Sequence, residues 1–138
     1  MKLRDEGILE LFAQRIRERK YTQMNHLTNV LYMMAKFKWR SENGDDYLRT
    51  ASQIMLAEPT LTSYTACRNL WNFYAFDYHD KVALERFSKV ILDTKPDSLN
   101  ELDIANAVRS FAHFQHMDYD CLEVLLKESI KRADTFKL

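Results

Sequence analysis

The sequence has few of the residues that form tight turns. Its 138 residues include only two glycines and two prolines, whereas ordinary proteins have about 7% Gly and 5% Pro. Hairpins and sheet corners depend on these residues. Their scarcity argues against a β-rich fold and predicts an all-α protein of long helices joined by short links.

Cysteines and long apolar runs are also scarce. Cys67 and Cys121 are the only cysteines, and neither a short Cys–Cys spacing nor a secretory signal accompanies them, so we expect two reduced, buried thiols rather than a disulfide framework. No apolar run approaches the ~20 residues that span a bilayer. The first residues, MKLRDEGILEL, do not have the pattern of a signal or transit peptide. We therefore expect no transmembrane segment.

There is no surplus of charge. Twenty basic and twenty acidic residues give a formal net charge of zero. Proteins that bind nucleic acid on their own usually carry a basic surplus, because their cations displace the counterions of the phosphates. The composition thus favours a protein-facing role, and it leaves open binding through a local basic patch.

What the sequence does contain is a repeat. Phe37, Phe76 and Phe114 lie 39 and 38 residues apart, and apolar residues recur six and three positions before each of them, as on one stripe of a helix. A second apolar pattern follows each stripe, beginning near Tyr47, Ala83 and Cys121. Each unit therefore predicts a pair of helices, A and B.

Three such pairs follow one unpaired N-terminal helix that resembles a B helix. We predict one domain over residues 1–138: a short right-handed α-solenoid of about three helix-turn-helix repeats, with a period of ~38 residues, and about seven helices in all. A compact helical bundle is the alternative. The predicted boundaries are 5–20 for the orphan helix, and 21–60, 61–98 and 99–138 for the repeats.

Residues at the unit boundaries agree with this division. Thr62 or Ser63 is expected to cap the second A helix, and Asn100 the third. Pro59 and Pro96 each fall just after a predicted B helix, where proline ends a helix without breaking its hydrogen bonds.

The units resemble octotricopeptide and heptatricopeptide repeats, as found in FAST-kinase-like organellar proteins. The best match is Asn69-Leu70-Trp71-Asn72-Phe73, and Asn106 to Ala112 matches it in spacing. The resemblance covers about residues 21–138. It implies a mitochondrial or plastid location, and a role in binding RNA or as part of an organellar ribonucleoprotein assembly. The chain departs from the known RNA-binding members in having few repeats and no RAP-type domain.

A second stripe on the A helices is the predicted binding surface for a protein partner or for RNA. Amides, rings and guanidinium groups recur there, which suits both base stacking and protein hot spots; packing between units is the structural alternative. Its residues are Asn29, Tyr32, Lys36, Arg68, Trp71, Asn72, Asn106, Arg109 and His113. A basic run at the end of the first helix could contact phosphates, or simply be solvated. It consists of Arg15, Arg17, Arg19 and Lys20.

Little in the sequence indicates catalysis. His113, His116, Asp118 and Asp120 could approach a metal ion, but they lack a third strong ligand at a helical spacing, so we expect an ordinary polar surface there. There is no Gly-rich phosphate loop and no nucleophile paired with a nearby base. We therefore expect no enzyme activity, no metal and no cofactor.

The functional expectation is a non-catalytic scaffold or adaptor subunit. Its partners would be protein subunits of a large organellar assembly, such as a mitochondrial ribosome or a respiratory-chain complex. The mitochondrial location rests on the resemblance alone. The alternative is an organellar RNA-binding protein that holds single-stranded or ribosomal RNA on the A-helix stripe.

Overall fold

The computed structural model describes residues 6–116 and 118–133, and these residues form α-helices without any strand. This confirms the predicted all-α class and the predicted number of helices. A 3₁₀ turn over Pro96–Ser98 precedes the sixth helix. The helices are α1 (Glu6–Arg17), α2 (Met24–Lys36), α3 (Asp46–Ala57), α4 (Ser63–Phe76), α5 (Lys81–Leu92), α6 (Glu101–His113) and α7 (Tyr119–Lys131).

The helices pack in two layers. Helices α2, α4 and α6 contact one another in order and form the A layer, while α1, α3, α5 and α7 do the same in the B layer. Contacts within the hairpins, such as α4 with α5 and α6 with α7, join the layers. The predicted A and B helices therefore have the predicted neighbours. The right-handed sense of the stack stays a prediction.

The core lies between the layers and between successive hairpins. Phe73, Phe87 and Phe111 are completely buried, and the Phe73 ring packs against Phe87 with centroids 5.7 Å apart. Because each helix buries one apolar stripe, a single hairpin could not cover its own core residues, and the neighbouring hairpins must do so.

The helix starts follow the predicted capping chemistry. The Thr62 side chain accepts a hydrogen bond from the backbone N–H of Thr65 at the start of α4. Asn100 and Asp103 form a reciprocal capping box at the start of α6, and such caps stabilise a helix by about 1 kcal/mol. Pro59 and Pro96 lie in the links after α3 and α5, as predicted.

The three A helices end in the same way. Lys38, Asp77 and Gln115 each have a positive φ, between 51° and 55°. The next residue in each link donates its N–H to a carbonyl five positions back, from Trp39 to Met34 and at the two equivalent places. This Schellman-type ending recurs with the period of the repeat, and it supports the sequence alignment independently.

Two residues assigned to the core stripe are less buried than predicted. Phe37 is 36% exposed, and Val108 is half-buried, although Phe76 and Phe114, which are equivalent to Phe37, are buried. Phe37 is the C-cap residue of α2, and among the described helices none precedes α2 in the A layer to cover it. Cys67 and Cys121 are free and buried, as predicted, and burial raises the pKa of the Cys121 thiol to about 12.

Candidate binding groove on the A layer

Two adjoining hollows run along the outer side of the A layer. Their volumes are about 280 Å³ and about 600 Å³, and both are lined by Trp71 of α4 and Arg109 of α6. Helix α2 contributes Tyr32 to the smaller hollow and Lys36 to the larger one. Since all three A helices contribute, the hollows form one surface across the repeats, which we call the A-layer groove.

Arg68 is held between two tyrosine rings in the smaller hollow. Its guanidinium carbon lies 4.5 Å from the centroid of the Tyr32 ring and 5.6 Å from that of Tyr64. Its Nη1 also donates to the Tyr64 hydroxyl at 3.0 Å. These contacts fix the planar cation in one position before any ligand arrives, which lowers the entropic cost of binding a carboxylate or a phosphate.

Trp71 connects the two hollows and is half-buried. Its ring lies 5.1 Å from that of Tyr32 at 43°, and its inner part packs on the hydrophobic core. Trp71 therefore fits both roles that the sequence left open, packing between units and lining a binding surface. One side of its ring packs on the core and the other lines the groove. A ring held in this way is a rigid anchor for a ligand.

The far end of the groove is built around His113. Its ring meets Tyr74 edge-on at 4.9 Å, and its Nε2 lies 2.7 Å from Oδ1 of Asp77. This contact joins the end of α6 to the residue that ends α4. Because both partners are exposed, the pair can rearrange around a ligand.

The groove is basic although the chain as a whole is neutral. Lys36, Lys38, Arg68 and Arg109 line it, against the two carboxylates Asp77 and Asp103. Burial raises the pKa of the Asp103 carboxyl, whereas its hydrogen bond with Asn100 and the charge of Arg68 lower it. Asp103 is occupied by the capping box, so the surface offers more cations than anions to a ligand.

Seven of the nine residues predicted for this surface line the groove. They are Tyr32, Lys36, Arg68, Trp71, Asn106, Arg109 and His113. Asn29 is exposed on α2 but is not part of the lining.

The prediction for Asn72 is wrong, since its side chain is completely buried. Its Nδ2 donates to Oδ1 of Asn69 at 3.1 Å and to the backbone oxygen of Thr28 at 3.3 Å. Asn69 in turn donates to the Thr28 hydroxyl at 2.9 Å. These amides connect α4 to α2 and cannot contact a partner.

The residues of the predicted basic run differ in their exposure. Arg15, Arg19 and Lys20 are exposed, but only 13% of the Arg17 side chain is. Arg17 pairs with Glu10 at 2.9 Å and with Asp46 at 2.7 Å, so it ties α1 to the start of α3. Including Arg17 in an open phosphate-binding patch was therefore wrong.

The predicted set lacks several lining residues, among them Tyr64, Tyr74 and Lys38. Tyr64 lies one helical turn before Arg68, so extending the predicted stripe by one turn would have found it. Tyr74 lies off that stripe, and Lys38 lies beyond the end of α2. The last two face the groove only because of how the helices pack and end, which the stripe does not encode.

Within the described ranges, no three His, Cys, Asp or Glu side chains are grouped so as to hold a metal ion. The described helices also include none that combines the length and apolarity needed to cross a bilayer. His116 packs near the ring of Phe111, with centroids 5.5 Å apart.

The fold and the groove define an all-α protein of stacked helical hairpins with a basic, aromatic surface. No protein-family model matches the sequence, and no curated protein and no solved structure matches it significantly. The resemblance to octotricopeptide-type repeats stays a prediction.

Proposed function

We propose that the protein is a non-catalytic helical-repeat scaffold or adaptor that holds a protein partner in the A-layer groove. The observation that carries this proposal is the fixed arrangement of Tyr32, Arg68 and Trp71 across two helices. Aromatic and arginine side chains are the commonest hot-spot residues of protein interfaces. Rings that already pack on a core bind with little further loss of entropy.

The setting we propose is a large organellar assembly, with a mitochondrial ribosome or a respiratory-chain complex as the main candidates. This part depends on the resemblance of the repeats to octotricopeptide-type proteins. The zero net charge of the chain agrees with a subunit that packs among other proteins.

The test is purification of the tagged protein from its native cells, followed by quantitative mass spectrometry. We compare the wild type with Arg68→Ala/Arg109→Ala, which removes two groove cations. Arg49→Ala/Lys89→Ala is the matched control, because it removes two exposed cations from the B layer. Circular dichroism confirms that each variant is folded.

We expect a defined set of organellar subunits to co-purify with the wild type and with the control, and to be lost from the groove variant. The set should survive ribonuclease treatment. Equal recovery with both variants would show that the groove does not hold the partner.

RNA binding is the second candidate, and the basic lining favours it. Four cations and several rings on one surface suit single-stranded RNA, in which phosphates meet the cations and bases stack on the rings. Fluorescence anisotropy with mixed-sequence single-stranded RNA, across a series of salt concentrations, tests this candidate.

If RNA binds, affinity falls with salt, and the slope of log K against log salt falls by about 0.7 for each phosphate contact removed. The variant Arg68→Ala/Arg109→Ala should then flatten the slope, and Arg49→Ala/Lys89→Ala should not. Absence of binding at low salt would eliminate the RNA candidate. Salt-sensitive binding together with loss of all co-purifying proteins after ribonuclease would eliminate the protein-partner candidate.

A further inference from the structure

The cations of the A-layer groove are not neutralised by the chain itself. None of the four forms an ion pair with a residue that the structure describes. Asp103 attracts Arg68, but its carboxylate is 4% exposed and belongs to the capping box. Cations held close together repel one another, and an anionic ligand relieves that repulsion. The four cations are Lys36, Lys38, Arg68 and Arg109.

The contacts of Arg68 leave one edge of its guanidinium group for a ligand. The rings of Tyr32 and Tyr64 pack against the group, and its Nε is buried without a partner. Nη1 donates one N–H to the Tyr64 hydroxyl. Its second N–H and both of those on Nη2 have no acceptor among the described residues. A planar carboxylate matches this edge, because its two oxygens accept from the two nitrogens in parallel.

Apolar side chains border this carboxylate site. Tyr64 and Leu102 are 50% and 67% exposed, and both line the smaller hollow together with Arg68. Trp71 lines the same hollow and continues into the larger one. Exposed apolar groups within a concave surface mark a place where a ligand buries apolar groups of its own. The occupant should therefore combine carboxylates with large apolar side chains.

The rings of the groove suit a polypeptide better than they suit RNA. Arg68 and Lys36 both lie over the Tyr32 ring, at 4.5 Å and 5.4 Å from its centroid, and Trp71 lies 5.1 Å from it. RNA bases stack on free ring faces, and an aliphatic residue such as Leu102 has none. A polypeptide does not need them, because its carboxylates meet the cations and its side chains also pack on ring edges.

The two hollows determine where the charges of the occupant lie. Arg68 lines the smaller hollow, and Lys36 and Lys38 line the larger one. Trp71 and Arg109 line both. Given the protein partner proposed above, we propose that the groove receives an acidic segment of that partner, with a carboxylate on Arg68, an apolar side chain on Trp71 and a further acid beside Lys36.

The test begins with selection of random-sequence displayed peptides on the purified 138-residue protein. We expect the enriched peptides to be acidic and to carry a large apolar residue between the acids. The best peptide is then labelled, and so is a neutral counterpart in which Asn and Gln replace every Asp and Glu. Fluorescence anisotropy should show the neutral counterpart binding about tenfold more weakly or worse, because charge-assisted hydrogen bonds are lost.

Substitutions in the groove locate the binding site. Arg68→Lys keeps the charge but lacks the planar pair of donors, so it should weaken binding of the acidic peptide about tenfold. Arg109→Glu changes an exposed position and serves if circular dichroism shows that Arg68→Lys is not folded. It should weaken the acidic peptide at least as much, with less effect on the neutral counterpart. Arg49→Lys and Arg49→Glu, at an exposed arginine of α3, are the matched controls and should bind as the wild type does.

Several results would overturn the acidic occupant. Enrichment of neutral or basic peptides, or of none, is one, and equal affinity for the acidic peptide and its neutral counterpart is another. Unchanged binding by both Arg68→Lys and Arg109→Glu would place the peptide outside the groove. Displacement of the peptide by less mixed-sequence single-stranded RNA than unlabelled peptide would make RNA the preferred occupant.

Failure of this proposal and failure of the proposed function can be told apart. If acidic peptides do not bind but Arg68→Ala/Arg109→Ala still loses its co-purifying proteins, the groove holds a protein partner of another chemistry. If that variant recovers the same proteins as the wild type, the groove does not hold the partner at all.

Discussion

Two buried asparagines make the contact between α2 and α4 different from the contact between α4 and α6. Asn69 and Asn72 of α4 donate to the hydroxyl and the backbone oxygen of Thr28 on α2. The equivalent residues of α6 are Ala107 and Ser110, which are also buried. The contact between α2 and α4 is thus joined by polar groups, and that between α4 and α6 by apolar packing.

Asn69→Ala should lower the free energy of unfolding by about 1–3 kcal/mol, because Asn72 and the Thr28 hydroxyl lose their buried partner. Urea denaturation followed by circular dichroism measures the change. Asn29→Ala, on the exposed side of α2, should stay within about 0.5 kcal/mol of the wild type. Equal effects of both substitutions would show that the amide network does not stabilise the α2–α4 contact.

Seven of the residues that line the groove could be predicted, because a helix places every third or fourth residue on one side. Asn72 could not. It lies at the edge of the predicted stripe, where burial depends on how closely the next helix approaches. Here α2 presents the small Thr28 at that point, and the helices close over the amide.

Glu10 is a residue whose ionisation should make stability depend on pH. The hydroxyl of Ser41 donates to its carboxylate at 2.7 Å and is the main cause of its lowered pKa. The Asn43 amide and Arg17 lower the pKa further, while burial opposes them. Since the folded pKa lies below the reference value of 4.5, the stabilisation is present above that pH and is lost as pH falls through the lowered pKa.

Glu10→Gln should therefore flatten the loss of stability in acid. Urea midpoints are measured from about pH 7 to about pH 3, where the wild type should lose stability more steeply than the variant. Glu85→Gln, an exposed carboxylate on α5, is the control and should follow the wild type. If Glu10→Gln were as acid-sensitive as the wild type, the loss of stability in acid would come from other carboxyl groups.

At the scale of helices, the recurring feature is the left-handed residue that ends each A helix. Gln115, with a φ of 55°, adopts a conformation that costs an L residue roughly 1–2 kcal/mol. Glycine has no such cost, although its freedom in the unfolded chain offsets part of the gain.

Gln115→Gly should raise the free energy of unfolding by up to about 1 kcal/mol, and Gln115→Val should lower it, because a β-branched side chain fits the left-handed region poorly. Thermal and urea unfolding measure both changes. Glu85→Gly, within α5, should lower stability by about 1 kcal/mol. If Gln115→Gly also lowered stability, the proposed strain at this position would be refuted.

The helices and their caps could be predicted because Thr62 and Asn100 are typical capping residues and the prolines follow the B helices. The endings of the A helices could not be predicted. Lys38, Asp77 and Gln115 are not the glycines that usually mark such endings, so only their shared position in the repeat could have drawn attention to them.

At the scale of the molecule, the stack makes stability uneven along the chain. Helix α5 contacts α3, α4 and α7, whereas α1 contacts only α2 and α3 among its main neighbours. In stacked repeats, stability is approximately a sum of the units and of the interfaces between neighbours. A destabilising substitution in a terminal helix should therefore affect only the helices next to it. One in a central helix should affect the helices on both sides.

Ile16 and Ile91 offer a matched comparison, because they occupy equivalent positions in α1 and α5 and are 0% and 1% exposed. Truncation to Ala costs about 2–5 kcal/mol in a core. By native-state hydrogen exchange, Ile16→Ala should lower protection mainly in α1 and α3. Ile91→Ala should lower it from α3 to α7, because the interfaces on both sides of α5 share the lost contacts. The same pattern of loss in both variants would mean that the seven helices unfold as one unit and not as stacked hairpins.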